Sequence, residues 1–204
     1  MTNLRIIGLL ATCAIAGNAF GADKTGEDKA IQVMKASFKE RGQAKLDRID
    51  ADQTMSLCNQ YAGGKLPSAV AGKIQTLNLK SIKLPADGKL LGDWKAGEKI
   101  AQSGVGKQFS DNPANPNGGN CYACHQLAPQ ELSYGNIGPS LYNYGKLRGN
   151  SKAIQEYTFG KIYNAEAYAA CSNMPRFGHN GILTEQQIRD VVALLLDPES
   201  PVNK

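Results

Sequence analysis

The chain has 204 residues, of which 42% are hydrophobic and 20% are charged, with 22 Gly and 9 Pro. This composition excludes a disordered or fibrous protein and indicates one ordinary globular domain with long irregular connections and room for a small second lobe. The 23 basic and 18 acidic residues leave a small positive excess, and the lysines are spread along the chain. We therefore expect a solvated surface that could steer an acidic partner, and no nucleic-acid-binding face.

Residues 1–22 have the pattern of a secretory signal peptide. Arg5 precedes an apolar run over residues 6–15, and small residues follow that run. This order is typical of a signal that is cleaved, here after Ala19, Gly21 or Ala22. The apolar run is too short to remain as a membrane span, so we expect a periplasmic protein without one.

Cys13 offers an alternative, the lipid-modified cysteine of a lipoprotein signal. Thr12 is an unfavourable residue before a lipidated cysteine, and the apolar run before it would be short, so we favour cleavage. Cleavage removes Arg5 and no acidic residue, which leaves 22 basic against 18 acidic residues.

Residues 23–90 are predicted to form a helical N-terminal extension that packs on the domain after it. Apolar side chains at helical spacing over residues 27–49 predict one or two amphipathic helices broken near Gly42. Two further helices are predicted over residues 54–61 and 67–79. The apolar residues expected on the buried side of the last of these are Val70, Ile74 and Leu77.

The main domain, on which the extension packs, is predicted over residues 91–204. Asp93 can cap a helix that continues to Gly106. Residues 151–162 predict another helix. Its expected buried residues are Ile154, Tyr157, Thr158 and Ile162.

The last helix has the clearest sequence pattern. Thr184 and Gln187 form a capping box, and apolar residues recur at helical spacing until Asp197-Pro198 ends the helix. We expect this helix to cross the one that begins near Asp93.

Between these two helices lies the segment Cys121-Tyr122-Ala123-Cys124-His125. Two cysteines three residues apart, with a histidine directly after the second, are the pattern of covalent c-type haem attachment. Cys121 and Cys124 would bond to the haem vinyl groups, and His125 would bind the iron from one face. Attachment of this kind takes place outside the bacterial cytoplasm, in agreement with the predicted signal.

A zinc site and a redox dithiol are the alternatives for a Cys-x-x-Cys pair. Zinc would need further ligands, and only Cys171 and His179 follow the motif. We therefore favour haem.

A Gly-Pro pair follows the motif at Gly138 and Pro139. In cytochromes c of similar pattern this pair lies against the haem, and a carbonyl group accepts a hydrogen bond from the proximal histidine, here Nδ1–H of His125. An ordinary turn is the alternative. The order of elements is that of a class I cytochrome c, so the predicted fold is mainly α, a class I cytochrome c-like haem domain with a helical N-terminal extension.

A low-spin electron-transfer haem needs a second axial ligand, and a thioether sulfur raises the reduction potential. Met174 is the best candidate, because it lies beside Pro175 in a loop just before the last helix. His179 and the thiolate of Cys171 are the rivals, and each would lower the potential.

Cys58 and Cys171 remain once Cys13 and the two haem cysteines are set aside. An even pair in an oxidising compartment predicts a disulfide bond. It would join the extension to the loop that carries Met174 and hold the ligand in place. Two buried free thiols are the alternative.

Several segments together resemble SoxX, the small mono-haem subunit of the SoxAX cytochrome of bacterial sulfur oxidation. The match is strongest over residues 91–203, and the extension resembles the longer form of the family. The haem motif alone is unspecific, whereas the Met-Pro-Arg-Phe-Gly block is far more specific. The segments are Gly119–His125, Gly138–Leu141, Tyr144-Gly145, Asn173–Gly178, Gly181–Thr184 and Asp197–Asn203.

The resemblance implies one covalent haem c and a heterodimer with SoxA. SoxAX couples thiosulfate oxidatively to a cysteine of the carrier SoxYZ, and the substrate chemistry belongs to the cysteine-ligated haem of SoxA. The present chain would be a non-catalytic subunit of this L-cysteine S-thiosulfotransferase, passing electrons to a soluble cytochrome c. The sequence offers no nucleophile paired with a base, so we expect no catalytic residue here.

Two other functions stay open. A free-standing electron carrier could serve a different oxidoreductase, and exposed apolar residues around the haem edge would argue for a subunit instead. A haem-based ligand sensor would need an iron from which Met174 is absent or easily displaced.

Overall fold

The computed structural model describes residues 24–204, with side chains from residue 28 onward, so the predicted signal, its cleavage positions and Cys13 lie outside the described residues. Within this range the chain is helical and contains no named strand, as the prediction of a mainly α fold requires. None of its helices is both long and apolar enough to cross a membrane. The α-helices are α1 (Lys24–Ser37), α2 (Gln53–Asn59), α3 (Ser68–Leu79), α4 (Trp94–Gln102), α5 (Tyr144–Arg148), α6 (Lys152–Tyr163) and α7 (Glu185–Leu196). Short 3-10 helices cover Leu46–Ile49, Cys121–Ala123, Ala165–Ala167 and Pro201–Asn203.

Helices α4 and α7 cross at close range, which confirms the predicted packing of the last helix on the one after Asp93. Gly97 makes the approach possible, because a Cβ atom there would lie 2.1 Å from the carbonyl oxygen of Asp190. The amide of Asp93 donates to Oδ1 of the same Asp190 at 2.9 Å, so the start of α4 is bonded to α7 as well as packed on it.

Helix α7 forms the centre of the core. The predicted capping box is confirmed: the Thr184 hydroxyl accepts from the Gln187 amide, and the Gln187 side chain accepts in return. Burial of each large apolar side chain contributes about 1.5–3 kcal/mol. The buried apolar residues of α7 are Ile188, Val191, Val192, Ala193, Leu194, Leu195 and Leu196.

Helix α4 ends at Gln102, four residues before the predicted end at Gly106. The residues after it pair instead with the segment that enters the haem motif. The amide of Gly118 donates to the carbonyl of Val105 at 2.7 Å, and the amide of Asn120 donates to the carbonyl of Ser103 at 2.9 Å. These bonds satisfy backbone groups that a longer helix would have used.

The predicted break near Gly42 is confirmed, but α1 ends before it and only a short 3-10 helix, Leu46–Ile49, follows it. Helix α1 ends at Ser37, and an isolated bridge between Arg41 and Ala44 replaces the predicted continuation. Gly42 has a positive φ of 54°, and a Cβ atom there would lie 2.1 Å from the carbonyl oxygen of Phe109. The backbone turns at this glycine and passes close to Phe109, which a continuous helix through Gly42 would not allow.

Helix α3 buries a polar residue that the hydrophobic pattern did not indicate. Ile74 is fully buried as predicted, but Leu77 is 39% exposed and Asn78 is buried in its place. The amide of Asn78 bonds Thr54 of α2, and its oxygen accepts from Asn164. The predicted burial of Leu77 was therefore wrong, because hydrogen bonding between helices outweighed hydrophobic periodicity.

Helix α6 buries Thr158 and Ile162 as predicted, and it also buries Phe159 fully. Tyr157, expected in the core, is 36% exposed and packs edge-on against Tyr168 at 5.0 Å between ring centroids. The face of α6 that meets the core is therefore rotated from the predicted one.

Candidate haem-attachment site

The motif cysteines and histidine lie on one tight turn. A 3-10 helix covers Cys121–Ala123, and the amides of Cys124 and His125 both donate to the carbonyl of Cys121, at 3.1 and 2.9 Å. Asn120 enters the turn with a left-handed φ of 47°. Cys121 and Cys124 are free thiols of intermediate burial, and Cys121 packs against the core cluster.

His125 is held by the Gly-Pro pair. Its Nδ1 lies 2.7 Å from the carbonyl oxygen of Pro139. A carbonyl only accepts, so Nδ1 carries the proton and the lone pair is on Nε2. This is the tautomer that a histidine needs to bind a metal through Nε2.

Gly138 lies directly against the face of the same ring. A Cβ atom at this position would lie 2.2 Å from Cε1 and 2.5 Å from Nδ1 of His125. Any larger residue would push the ring out of place. The glycine and proline thus form a cradle that fixes both the position and the tautomer of the imidazole.

The thiol of Cys121 is unsuited to redox exchange. Burial raises the pKa of Cys121 to about 12, so the free group is a thiol and not a thiolate at neutral pH. Disulfide oxidoreductases depend on a cysteine whose pKa is lowered. Cys121 therefore lacks the property that a redox-active cysteine needs.

Met174 lies in a loop between α6 and α7 and packs against the core cluster that also includes Tyr122 and Leu183. Its amide donates to the Ser172 hydroxyl at 3.2 Å. The chain after it is anchored, because the amide of Gly178 donates to the carbonyl of Tyr163 at 3.0 Å. Met174 thus presents a thioether from a loop that is fixed on the same core as the motif.

The two alternative ligands, Cys171 and His179, lie in different environments. Cys171 forms a disulfide bond with Cys58, across 113 residues of sequence, so it has no thiolate to offer to iron or zinc. His179 is exposed, and partial burial together with the Arg176 charge lowers the pKa of its ring. Among the described residues no three His, Cys, Asp or Glu side chains come together as a metal site.

Two charged residues near Met174 were missed by the sequence reasoning. Arg176 is only 8% exposed and pairs with Asp52 at 2.6 Å. Glu166 is 7% exposed and accepts from the Cys171 amide at 2.6 Å. Arg176 was noticed only as part of a family-like block, and no sequence signal indicates that either residue is buried.

The donor set fits a covalently attached haem. It consists of two unpaired thiols on one turn, an imidazole with Nε2 free and Nδ1 bonded, and a thioether on a neighbouring loop. An open cleft of about 370 Å³ lies beside the motif, lined by Asn120, Tyr122, Tyr134 and Gly135 among others. A second, of about 280 Å³, is lined in part by Met174 and Pro175.

The segment that carries these residues is similar to known proteins. The cytochrome c family model matches residues 105–197. An uncharacterized lipoprotein of Aquifex aeolicus (strain VF5) is 44% identical over 127 residues, which are 61% of this chain and 59% of that protein. The chain thus spans less than two thirds of the length of this relative.

Helices α4 and α7 crossing beside a Cys-x-x-Cys-His turn give the haem domain its class I cytochrome c-like fold. Members of the family carry a covalently bound haem c and transfer electrons. The match of residues 105–197 to the cytochrome c family model supports a c-type cytochrome, an electron-transfer haem protein.

Proposed function

We propose that this cytochrome is the mono-haem electron-transfer subunit of a SoxAX complex, with Cys121 and Cys124 as haem attachment sites and His125 and Met174 as axial ligands. The observation that carries the haem assignment is the cradle of Gly138 and Pro139 around the His125 ring. The subunit assignment rests on the resemblance to SoxX.

The residues of the chain have distinct tasks in this proposal. The bound haem supplies a one-electron redox centre. Pro139 keeps the proton on Nδ1 of His125, which strengthens Nε2 as a donor. Met174 would supply a second ligand to the iron of the bound haem and would leave no position for an external ligand. A closed iron favours electron transfer over ligand sensing or peroxidase chemistry.

Exposed apolar residues in the loop after the motif support a subunit over a free-standing carrier. Leu132 is 89% exposed and Ile137 is 71% exposed, and Tyr134 between them is half-exposed. Since this loop runs from His125 to the Gly-Pro cradle, a partner bound here would lie close to the redox centre. We propose that SoxA covers it.

The proposed location is the periplasm, with electrons leaving to a soluble cytochrome c. The name of the Aquifex relative, a lipoprotein, supports a location outside the cytoplasm. Mass spectrometry of the mature N-terminus distinguishes cleavage of the signal from lipid modification of Cys13. Cleavage after Ala19, Gly21 or Ala22 is expected, and a diacylglyceryl group on Cys13 would replace a soluble subunit with an anchored one.

The function is tested by mixing the purified holoprotein with SoxA of the same organism. We expect a one-to-one complex by analytical ultracentrifugation, and reduction of the haem of this chain when thiosulfate and SoxYZ are added. A chain that stays separate from SoxA at micromolar concentrations would contradict the subunit assignment and favour a carrier for another oxidoreductase.

A matched pair of variants tests the docking loop. Leu132→Ser removes an exposed apolar side chain near the motif, whereas Leu147→Ser removes one that is 79% exposed on α5. We expect the first to weaken the complex with SoxA about tenfold or more and the second to leave it unchanged. If both variants changed the affinity for SoxA equally, the exposed loop would no longer support the subunit assignment.

A further inference from the structure

The loop that carries Met174 is bonded to the N-terminal extension by contacts that the cytochrome c domain alone does not contain. Residues 171–176 are here called the Met174 loop. The contacts reach it near both ends, at Cys171 and at Arg176.

The first contact is an ion pair. Oδ2 of Asp52 lies 2.6 Å from the guanidinium of Arg176, while Oδ1 of Asp52 accepts from the Met55 amide and caps α2. The Arg176 side chain is only 9% exposed. A buried guanidinium without its carboxylate would be costly, so the pair ties the end of the loop to the start of α2.

The second contact is a chain of buried polar groups. The Asn78 amide donates to the Thr54 hydroxyl, and the Asn164 amide donates to the Asn78 oxygen at 2.9 Å. The Asn164 oxygen accepts from the Glu166 amide, and the Glu166 carboxylate accepts from the Cys171 amide. Helices α2 and α3 are thereby connected to the start of the Met174 loop.

The third contact is the Cys58–Cys171 disulfide bond, which lies at the same end of the loop. Cys171 has a left-handed φ of 58°, a conformation that costs free energy for a residue with a side chain. The disulfide and the Glu166 carboxylate both act on this residue and hold it there.

We infer that residues 52–78 of the extension act as a brace that keeps the thioether of Met174 in position, and that Asp52 and Arg176 are positioning residues for this ligand. The inference rests on the proposed function, because it requires Met174 to be the sixth ligand. It gives the N-terminal extension a function, the support of the Met174 ligand.

The brace acts on the equilibrium between a closed and an open loop. An external ligand such as imidazole binds ferric haem only when the methionine has moved away, so its apparent affinity is reduced by the small population of the open state. Weakening the brace raises that population and makes imidazole bind more tightly.

Asp52→Asn is the informative variant, because asparagine keeps the helix cap and removes the charge that faces Arg176. Asp87→Asn is the matched control. Asp87 also accepts from an amide, that of Lys89, and also pairs with a partly buried arginine, Arg189 on α7, outside the Met174 loop.

The experiment is a titration of the oxidised holoprotein with imidazole, followed by the loss of the weak red absorption band that accompanies thioether ligation. We expect Asp52→Asn to tighten the apparent Kd about tenfold, and Asp87→Asn to stay within about twofold of wild type. Arg176→Gln should match Asp52→Asn, and the double variant should add little. Thermal unfolding of Asp52→Asn and Asp87→Asn shows whether the two substitutions destabilise the protein to the same extent.

The outcomes distinguish a failure of the brace from a failure of the proposed function. A wild-type protein without the red band overturns Met174 as a ligand, and the brace with it. A wild-type band together with equal imidazole affinities for Asp52→Asn and Asp87→Asn overturns the brace and leaves the proposed function standing.

Discussion

Nδ1 of His125 lies 2.7 Å from the carbonyl oxygen of Pro139. One backbone oxygen thereby determines which nitrogen of the ring can bind iron. The carbonyl is placed by a Gly-Pro pair whose glycine has no room for a side chain. Several consequences of this arrangement and of the helix packing behind it can be measured.

Replacing Gly138 by alanine should displace the His125 ring, because the new Cβ would lie 2.2 Å from Cε1. We expect a loss of about 1–3 kcal/mol in the free energy of unfolding of the holoprotein. The reduction potential should rise, since a histidine without its hydrogen bond is a weaker donor. Urea denaturation and a redox titration measure both quantities.

Gly72→Ala is the control for this variant. Nothing lies within 4 Å of a Cβ atom at Gly72, which is in α3. An alanine there should stabilise the protein by about 0.5–1 kcal/mol and leave the potential unchanged. If Gly138→Ala changed the unfolding free energy and the reduction potential as little as Gly72→Ala does, Gly138 would not hold the His125 ring in place.

The crossing of α4 and α7 depends on Gly97. Gly97→Ala would place a Cβ atom 2.1 Å from a backbone oxygen of Asp190, so the helices must separate. We expect a loss of about 3 kcal/mol or more in the free energy of unfolding. A loss below about 0.5 kcal/mol in urea denaturation would mean that the helices do not pack as described.

The disulfide bond between Cys58 and Cys171 closes a loop of 113 residues. We expect Cys58→Ser with Cys171→Ser to lower the free energy of unfolding by about 2–5 kcal/mol, mainly because the unfolded chain gains freedom. Mass spectrometry of the alkylated, unreduced protein checks the bond itself. Modification of both cysteines without a reductant would refute it.

Glu166 should make stability fall as pH rises. Burial raises the pKa of Glu166 above its ordinary value of 4.5, although the amides of Cys171 and Ser172 act in the opposite direction. Between pH 4.5 and the raised pKa the native state binds more protons than the unfolded state, so the free energy of unfolding decreases with pH.

Glu166→Gln lacks this titration, so its stability relative to wild type should improve across the same pH window in urea denaturation. Asp52→Asn is a control of opposite sign. Partial burial raises the pKa of Asp52, but the Met55 amide and Arg176 outweigh it and lower the pKa below 3.8. The advantage of wild type over Asp52→Asn should be lost as the pH falls through that lowered pKa. If the difference in unfolding free energy between wild type and Glu166→Gln did not change with pH, Glu166 would not have the raised pKa of a buried carboxyl group.

Local patterns predicted part of this structure well. The capping box of Thr184 and Gln187 and the crossing of α4 and α7 follow from spacing, because they depend on residues close in sequence or on a strong apolar face. The hydrogen bond of His125 to Pro139 was expected by analogy with cytochromes of similar pattern.

Long-range polar contacts could not be predicted in this way. The burial of Asn78 depends on a partner 86 residues away, and helical periodicity counts Asn78 as a surface residue. The pairing of Asp52 with Arg176 joins residues 124 positions apart through a three-dimensional arrangement that no single segment encodes.

The central claim is that His125 and Met174 close the iron of an electron-transfer haem. The most direct measurement is the absorption spectrum of the purified mature protein, oxidised and reduced, before and after carbon monoxide. We predict a weak red band in the oxidised form and no carbon monoxide binding to the reduced form at neutral pH. An oxidised spectrum without that band, or rapid carbon monoxide binding, would contradict Met174 ligation and favour His179 or an open iron.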